Sequence, residues 1–220
     1  FFTNHNYSIV HQNSSDPRGI DCALLFNKKF ELIKQDFIKI NNPHVERSTR
    51  DITYAKLKFN NHLLHVFVNH WPSRWGGQKE SNHLRVFAAN VLKDYIKNNI
   101  PRSEHILVMG DFNDYPSNES LDKVLVEDNL FNLMKSDTLS GLGSYNYKGK
   151  WDWLDQFILS NHFLNDSIKI LSAGSFEDTF IFYKNSKGDL YPSRTFGGNN
   201  WYGGFSDHLP IYCNFRFIAK

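Results

Sequence analysis

The chain has 220 residues, 40% of them hydrophobic, with a formal net charge of +2. That length supports one sizeable core, and no linker-like stretch divides it, so a single domain over residues 1–220 is predicted. The charge is compatible with an anionic substrate but too weak to indicate a surface that coats a long polyanion, and two cysteines are too few for a thiolate metal site.

No apolar run reaches the roughly 18 residues needed to cross a bilayer. The chain begins Phe1-Phe2-Thr3 without a Met, which leaves its compartment open. Residues Gly19–Phe26 form a short apolar run between polar turns, the pattern of a buried strand. Cys22 lies in that run and Cys213 in a later one, so both are expected as buried, reduced thiols. Ile52–Phe59 and Leu63–Asn69 flank Asn60-Asn61-His62 and predict a hairpin. From Gln78 to Asn98 the residues Leu84, Phe87, Ala88, Val91, Leu92, Tyr95 and Ile96 recur at steps of three and four, which predicts one amphipathic helix stopped before Pro101.

His105–Gly110 is a further apolar strand that delivers Asp111 to its end. Ser117–Leu125 predicts a short helix capped by Ser117 or Asn118. Strands are expected over Asp155–Ser160, Ile168–Leu171 and Leu209–Phe217. Gly174–Gly204, rich in Gly, Asn, Ser and aromatic residues, is too long for a simple connector and is expected to be a functional loop region. Strands outnumber helices without a regular alternation, so the class is α/β or α+β.

Several strand ends carry polar groups suited to chemistry. Asp111 and Asn113 lie two apart, so in extended geometry their side chains leave the same face. One can bind a cation or a proton, and the other can donate hydrogen bonds to a phosphoryl group. Asp207 and His208 precede the last strand; histidine titrates in the range suited to proton transfer, and a neighbouring carboxylate can orient it. Asp155 stands at the mouth of another buried strand, where a carboxylate needs a partner such as an imidazole. Asn69-His70-Trp71-Pro72-Ser73-Arg74 ends the hairpin in a similar way. Together these runs point to one site for phosphoester hydrolysis.

The runs Asn69-His70-Trp71-Pro72-Ser73, Gly110-Asp111-Phe112-Asn113, Leu154-Asp155-Gln156-Phe157-Ile158-Leu159-Ser160 and Ser206-Asp207-His208-Leu209-Pro210 cover most of the chain in order. In them the chain resembles the endonuclease/exonuclease/phosphatase superfamily, whose members look like DNase I, apurinic endonucleases, sphingomyelinases and inositol polyphosphate 5-phosphatases. The resemblance implies a four-layer α/β sandwich, two mixed sheets face to face with helices outside, and a divalent cation, Mg²⁺ or Mn²⁺. By motif, Asp111 would align or deprotonate the attacking water, and Asn113 would steady it and the phosphoryl oxygens. His208, oriented by Asp155, would contact the scissile phosphate or act as acid/base, and Asp207 would help bind metal. His70 would contact the phosphate or assist the leaving group; Asn69, Arg50 and Arg194 would bind substrate, the two arginines through phosphate contacts.

Members of that superfamily carry an Asn and a metal-binding Glu upstream of the strand equivalent to Gly19–Phe26. Here only Phe1–Arg18 precedes it, without a Glu. The expectation is therefore a domain lacking its N-terminal strands, or a divergent member with a weakened metal site. The leading function is a metal-dependent nuclease or other phosphodiesterase. The rivals are a lipid- or inositol-phosphate-directed phosphatase and a non-catalytic binding module on the same scaffold.

Overall fold

The computed structural model describes residues 6–127, 129–164 and 168–218. In chain order the strands and the main helix are β1 (Tyr7–His11), β2 (Ala23–Asn27), β3 (Glu31–Ile38), β4 (Ile52–Phe59), β5 (His62–His70), α1 (Asn82–Asn99), β6 (His105–Asp111) and β7 (Leu130–Asn132). They continue as β8 (Tyr145–Tyr147), β9 (Lys150–Asp152), β10 (Asp155–Ser160), β11 (Ile168–Ser175), β12 (Phe182–Lys184), β13 (Leu190–Pro192), β14 (Phe196–Gly197), β15 (Asn200–Trp201) and β16 (Ile211–Phe217).

The centre is a six-stranded mixed sheet in the order β3-β4-β5-β6-β10-β7. Its β5–β6 pair is parallel and the others are antiparallel. A parallel neighbour requires a crossover, which α1 supplies between β5 and β6. The predicted hairpin is present with Phe59 opposite His62, and Asn60 at the turn has φ 52°, the left-handed conformation that a two-residue loop demands and Asn tolerates.

Alternation along the strands divides the core in two. Ile52, Tyr54, Phe67, Ile106, Val108 and Ile158 face Ala88, Ala89 and Leu92 of α1. Ala55, Leu57, Leu64, Val66, Leu107 and Leu159 face the opposite way, against Val10, Leu24 and Phe26 of β1–β2 and Ile168 and Ala173 of β11. The α1 stripe also contains Arg85, fully buried, at a position where an apolar periodicity shows nothing. The short helix expected over Ser117–Leu125 is a six-residue π-helical turn at Ser120–Leu125.

The expectation of two comparable mixed sheets is met only in part. Among the described residues the second strand layer consists of two separate antiparallel ladders, β1–β2 and β11–β16, not hydrogen-bonded to each other. Each presents one face to the core, while Ile9, Leu25 and Leu171 are exposed on the ladders, so no fourth helical layer covers them among the described residues. Residues 174–204, expected as a loop region, fold locally into the small ladders β12–β13 and β14–β15. Both cysteines are free, and burial pushes the Cys22 thiol up to about 12.

Candidate active site

Three adjacent strands of the central sheet bring their ends to one edge, and the register sets their polar residues side by side. His70, the last residue of β5, pairs with Asp111, the last of β6, and Asp111 pairs with Asp155, the first of β10. One residue earlier, Gly110 sits opposite Asn69 at φ 128°, and a Cβ there would lie 2.0 Å from the Asn69 carbonyl oxygen. Only glycine lets β5 and β6 approach this closely before delivering His70 and Asp111.

The chain then turns through Asn113 at φ 52°, which folds its amide back over Asp111. The Asn113 backbone N–H donates to Asp111 Oδ1 at 2.8 Å, and its Nδ2 donates to Asp111 Oδ2 at 3.2 Å and to the Trp71 carbonyl at 3.0 Å. Asp111 is thereby clamped in one orientation. His70 Nε2 lies 3.4 Å from Asp111 Oδ2. His208 arrives from the segment before β16 and places Nδ1 2.6 Å from Asp155 Oδ2 and Nε2 3.9 Å from Asp111 Oδ2. Its other face meets the Tyr145 ring at a centroid distance of 4.8 Å.

Charge in this corner is unevenly shared. Burial, and then the Asp155 carboxylate across the ladder, push the Asp111 carboxyl well above its ordinary range. Burial alone would lower His208, but the hydrogen bond and charge of Asp155 outweigh it and raise the imidazole to about 9. His70 is lowered to about 4 by burial and by the charges of Arg50 and His208. Near neutral pH the site therefore holds a cationic His208 and a neutral His70.

The ligand atoms of Asp111, Asp155 and His208 lie within 4.8 Å of one another, the one such group among the described residues. Two opposed carboxylates are hard oxygen donors, and the elevated proton affinity of Asp111 marks a place short of positive charge. Both fit a small divalent cation. Asp207 is exposed and outside this group. Asn69 is buried, with Nδ2 donating to the carbonyls of Phe67 and Met109 and Oδ1 accepting from Trp71 Nε1, so it ties β5 to β6 behind the site. Arg50 is also buried, beside Asp16 and the same Trp71 carbonyl that Asn113 uses. Arg194 is half-buried in the segment before β14, and its charge is felt at Tyr145, the ring beside His208.

Several supporting groups leave no mark in the sequence. Ser144, fully buried, accepts the backbone N–H groups of Leu154 and Asp155 on its hydroxyl at 3.1 and 3.0 Å, while its carbonyl accepts from the Leu209 N–H at 2.7 Å. One serine thus holds Asp155 and the residue after His208 together. Arg74 donates from Nε to the Asn113 carbonyl at 2.6 Å and lies over the Tyr115 ring. Asp114, fully buried, pairs with Arg85 at 2.8 Å and accepts from Ser120 Oγ at 2.6 Å. The only hint of this last group is a further carboxylate in the run Gly110–Asp114.

The model of the Endonuclease/Exonuclease/phosphatase family matches residues 1–217. No curated protein matches the chain in sequence. Among solved structures, the chain is similar to a functionally unknown conserved protein from Enterococcus faecalis, with TM-score 0.67 and 15% identity over 96% of this chain and 77% of that one. It is similar to the mannosyl-6-phosphatase of Bacteroides thetaiotaomicron, with TM-score 0.65 and 15% identity over 97% and 78% of the two chains. It is also similar to D. rerio TDP2 complexed with single strand DNA product, with TM-score 0.63 and 15% identity over 97% and 78%. At these identities the likeness is one of fold.

Proposed function

The chain belongs to the endonuclease/exonuclease/phosphatase family, and from that premise we propose that it is a divalent-metal-dependent phosphoester hydrolase, specifically a nuclease or other phosphodiesterase. The observation that carries the proposal is the convergence of His70, Asp111, Asn113, Asp155 and His208 at one sheet edge, with Asp155 bonded to the imidazole of His208. In the same proposal residues 1–220 form one domain, with β1–β2 and β11–β16 as two ladders of one second layer, because both pack on the same face of the central sheet.

Attack on phosphorus builds negative charge on the equatorial and leaving oxygens, so the site must supply positive charge and hydrogen-bond donors where that charge develops. A bound Mg²⁺ or Mn²⁺ would contribute Lewis acidity there, held by Asp111 with Asp155 or Asp207. His208, kept protonated by Asp155, presents its Nε2–H toward the phosphoryl group and donates to it. Asp111 accepts the proton of the attacking water or aligns it, and its raised proton affinity suits that role. Asn113 holds Asp111 in place. His70, neutral, hydrogen-bonds the phosphate or the leaving oxygen, and Arg50 and Arg194 add positive charge at the margins.

A fold shared with both a phosphatase and a DNA-bound protein does not choose the substrate. What favours a diester with flat substituents is the exposed aromatic rim of Phe196, Trp201, Tyr202 and Phe205 in the segment leading to His208. The test is hydrolysis of DNA and of a bis-phenyl phosphodiester by the full-length protein. Turnover should require Mg²⁺ or Mn²⁺, cease with chelator and cease in His208→Ala. Unchanged turnover in that variant, or turnover indifferent to chelator, would refute the proposal.

A further inference from the structure

Beside the strand-end site, the segment between β11 and β16 encloses a second hollow. A cavity of about 580 Å³ is lined by Tyr183, Tyr191, Ser193, Arg194, Gly197 and Tyr202. Tyr183 and Tyr191 are cross-strand partners in β12–β13, and their rings stack at 5.8 Å with a 29° tilt. The Tyr202 ring leans on Gly197, where a Cβ would come within 2.6 Å of it. Among the cavity's lining residues Arg194 is the one cation, and its Nε is buried without a hydrogen-bond partner.

This hollow is coupled to the catalytic corner by backbone. The N–H groups of Phe205 and Ser206 donate to the Ser193 carbonyl at 2.6 and 3.2 Å, so the residues just before Asp207-His208 are fastened to a cavity-lining residue. Tyr145, whose ring is tilted 43° against that of His208, also feels the charges of Arg194 and Asp207. Asn146, its neighbour, donates from Nδ2 to the Leu190 carbonyl of β13 at 3.0 Å.

We propose that this cavity is a nucleobase subsite, receiving the base of a nucleotide whose phosphate lies at Asp111 and His208; the assignment rests on the phosphodiesterase reading above. The volume falls within the usual range for small-ligand sites. Aromatic walls accept the π-face of any base, and a guanidinium can stack on a base plane or donate to a ring edge. A multiply phosphorylated ring would need several cations here, and Arg194 is the only one lining the cavity. An acyl chain would gain nothing from phenol hydroxyls and a guanidinium. The planar, polar-edged ring is the occupant that uses every wall.

The test is equilibrium binding to the full-length protein by calorimetry, with thymidine 5′-monophosphate, phenyl phosphate and ribose 5-phosphate as probes. The nucleotide should bind at least about tenfold more tightly than ribose 5-phosphate, the scale of one stacked base, and the gap should close in Tyr183→Ala/Tyr191→Ala. Equal affinities in the wild type, or a gap that survives in the double variant, overturns the subsite. Phenyl phosphate binding as tightly as the nucleotide overturns the nucleobase assignment. Should the double variant fail to melt cooperatively, Gly197→Ala displaces the Tyr202 ring and must narrow the same gap. Absence of turnover on any phosphodiester refutes the hydrolase reading but leaves the binding difference to be read; normal turnover without the difference removes the subsite alone.

Discussion

Replacing Asp114 by Ala isolates what holds the floor of the site. Asp114 and Arg85 are both fully buried and 2.8 Å apart, and Asp114 also accepts from Ser120 and Arg74. Arg85 donates to the carbonyls of Pro72, Ser73 and Gln78, so the pair joins the segment after His70 to the segment after Asn113. Removing one partner of a buried pair leaves an uncompensated charge, which costs about 3–5 kcal/mol. For a chain of this length each kcal/mol lowers Tm by roughly 2–4 °C, so Asp114→Ala should melt about 6–20 °C below wild type. Arg85→Met should be comparably damaging, and the double variant should fall short of the sum by about 1–3 kcal/mol, because the second change removes the stranded charge. It will not reach wild-type stability, since three backbone carbonyls lose their donor. Urea unfolding of the four proteins followed by circular dichroism closes the cycle. A single-variant loss below about 1 kcal/mol, or strict additivity, would refute the account.

Asp155→Asn should lower the His208 titration from about 9 toward the ordinary histidine value of about 6.5, because burial persists while only the weaker influences of Asp111 and Asp207 still favour the cation. Imidazole NMR reads this directly, and hydrolysis near pH 7.5 should drop about 10²-fold or more; an unmoved titration would remove Asp155 as the orienting group. Ser144→Ala strands the Leu154 and Asp155 N–H groups and should cost about 1–3 kcal/mol, with kcat falling more than KM changes. Equal effects on unrelated surface serines would argue against it. His105, lowered to about 4 by burial and its neighbouring histidines, binds fewer protons when folded than when unfolded. Its contribution, on the order of 3 kcal/mol, is complete above about pH 6.5 and is lost as pH falls toward 4. Asp111 is shifted in the opposite sense, so the test is the difference between wild type and His105→Gln in urea midpoints at pH 7 and 4.5, which should shrink as the pH drops.

Elements that bury one continuous stripe were legible in the sequence. The β4–β5 hairpin, α1 and β10 stand close to where their periodicity puts them. β3 was not, because Glu31, Lys34 and Asp36 interrupt its apolar residues and its first five residues are exposed, as an edge strand's can be. The ladders β12–β13 and β14–β15 are only two or three residues per strand, too short for any period to show. In the site, His70, Asp111, Asn113, Asp155 and His208 each stand at the end of an apolar run, and position alone exposes them. Ser144, Tyr145, Arg85 and Asp114 act on partners distant in sequence, and nothing local distinguishes them.

His70, Asp111 and Asp155 ride on neighbouring strands of one sheet, so their spacing is inherited from the hydrogen-bond ladder. His208 does not belong to that sheet. It reaches the others through the Ser144 to Leu209 bond and the docking of Pro210 on Phe176 beside the β11–β16 ladder. The site is thus completed by a ladder that includes the C-terminal strand β16, and a chain caught with that ladder undocked keeps His70 and the two carboxylates but lacks His208. On the proposed hydrolase reading, turnover in a refolding experiment should consequently lag the recovery of secondary structure and so report the docking of that ladder.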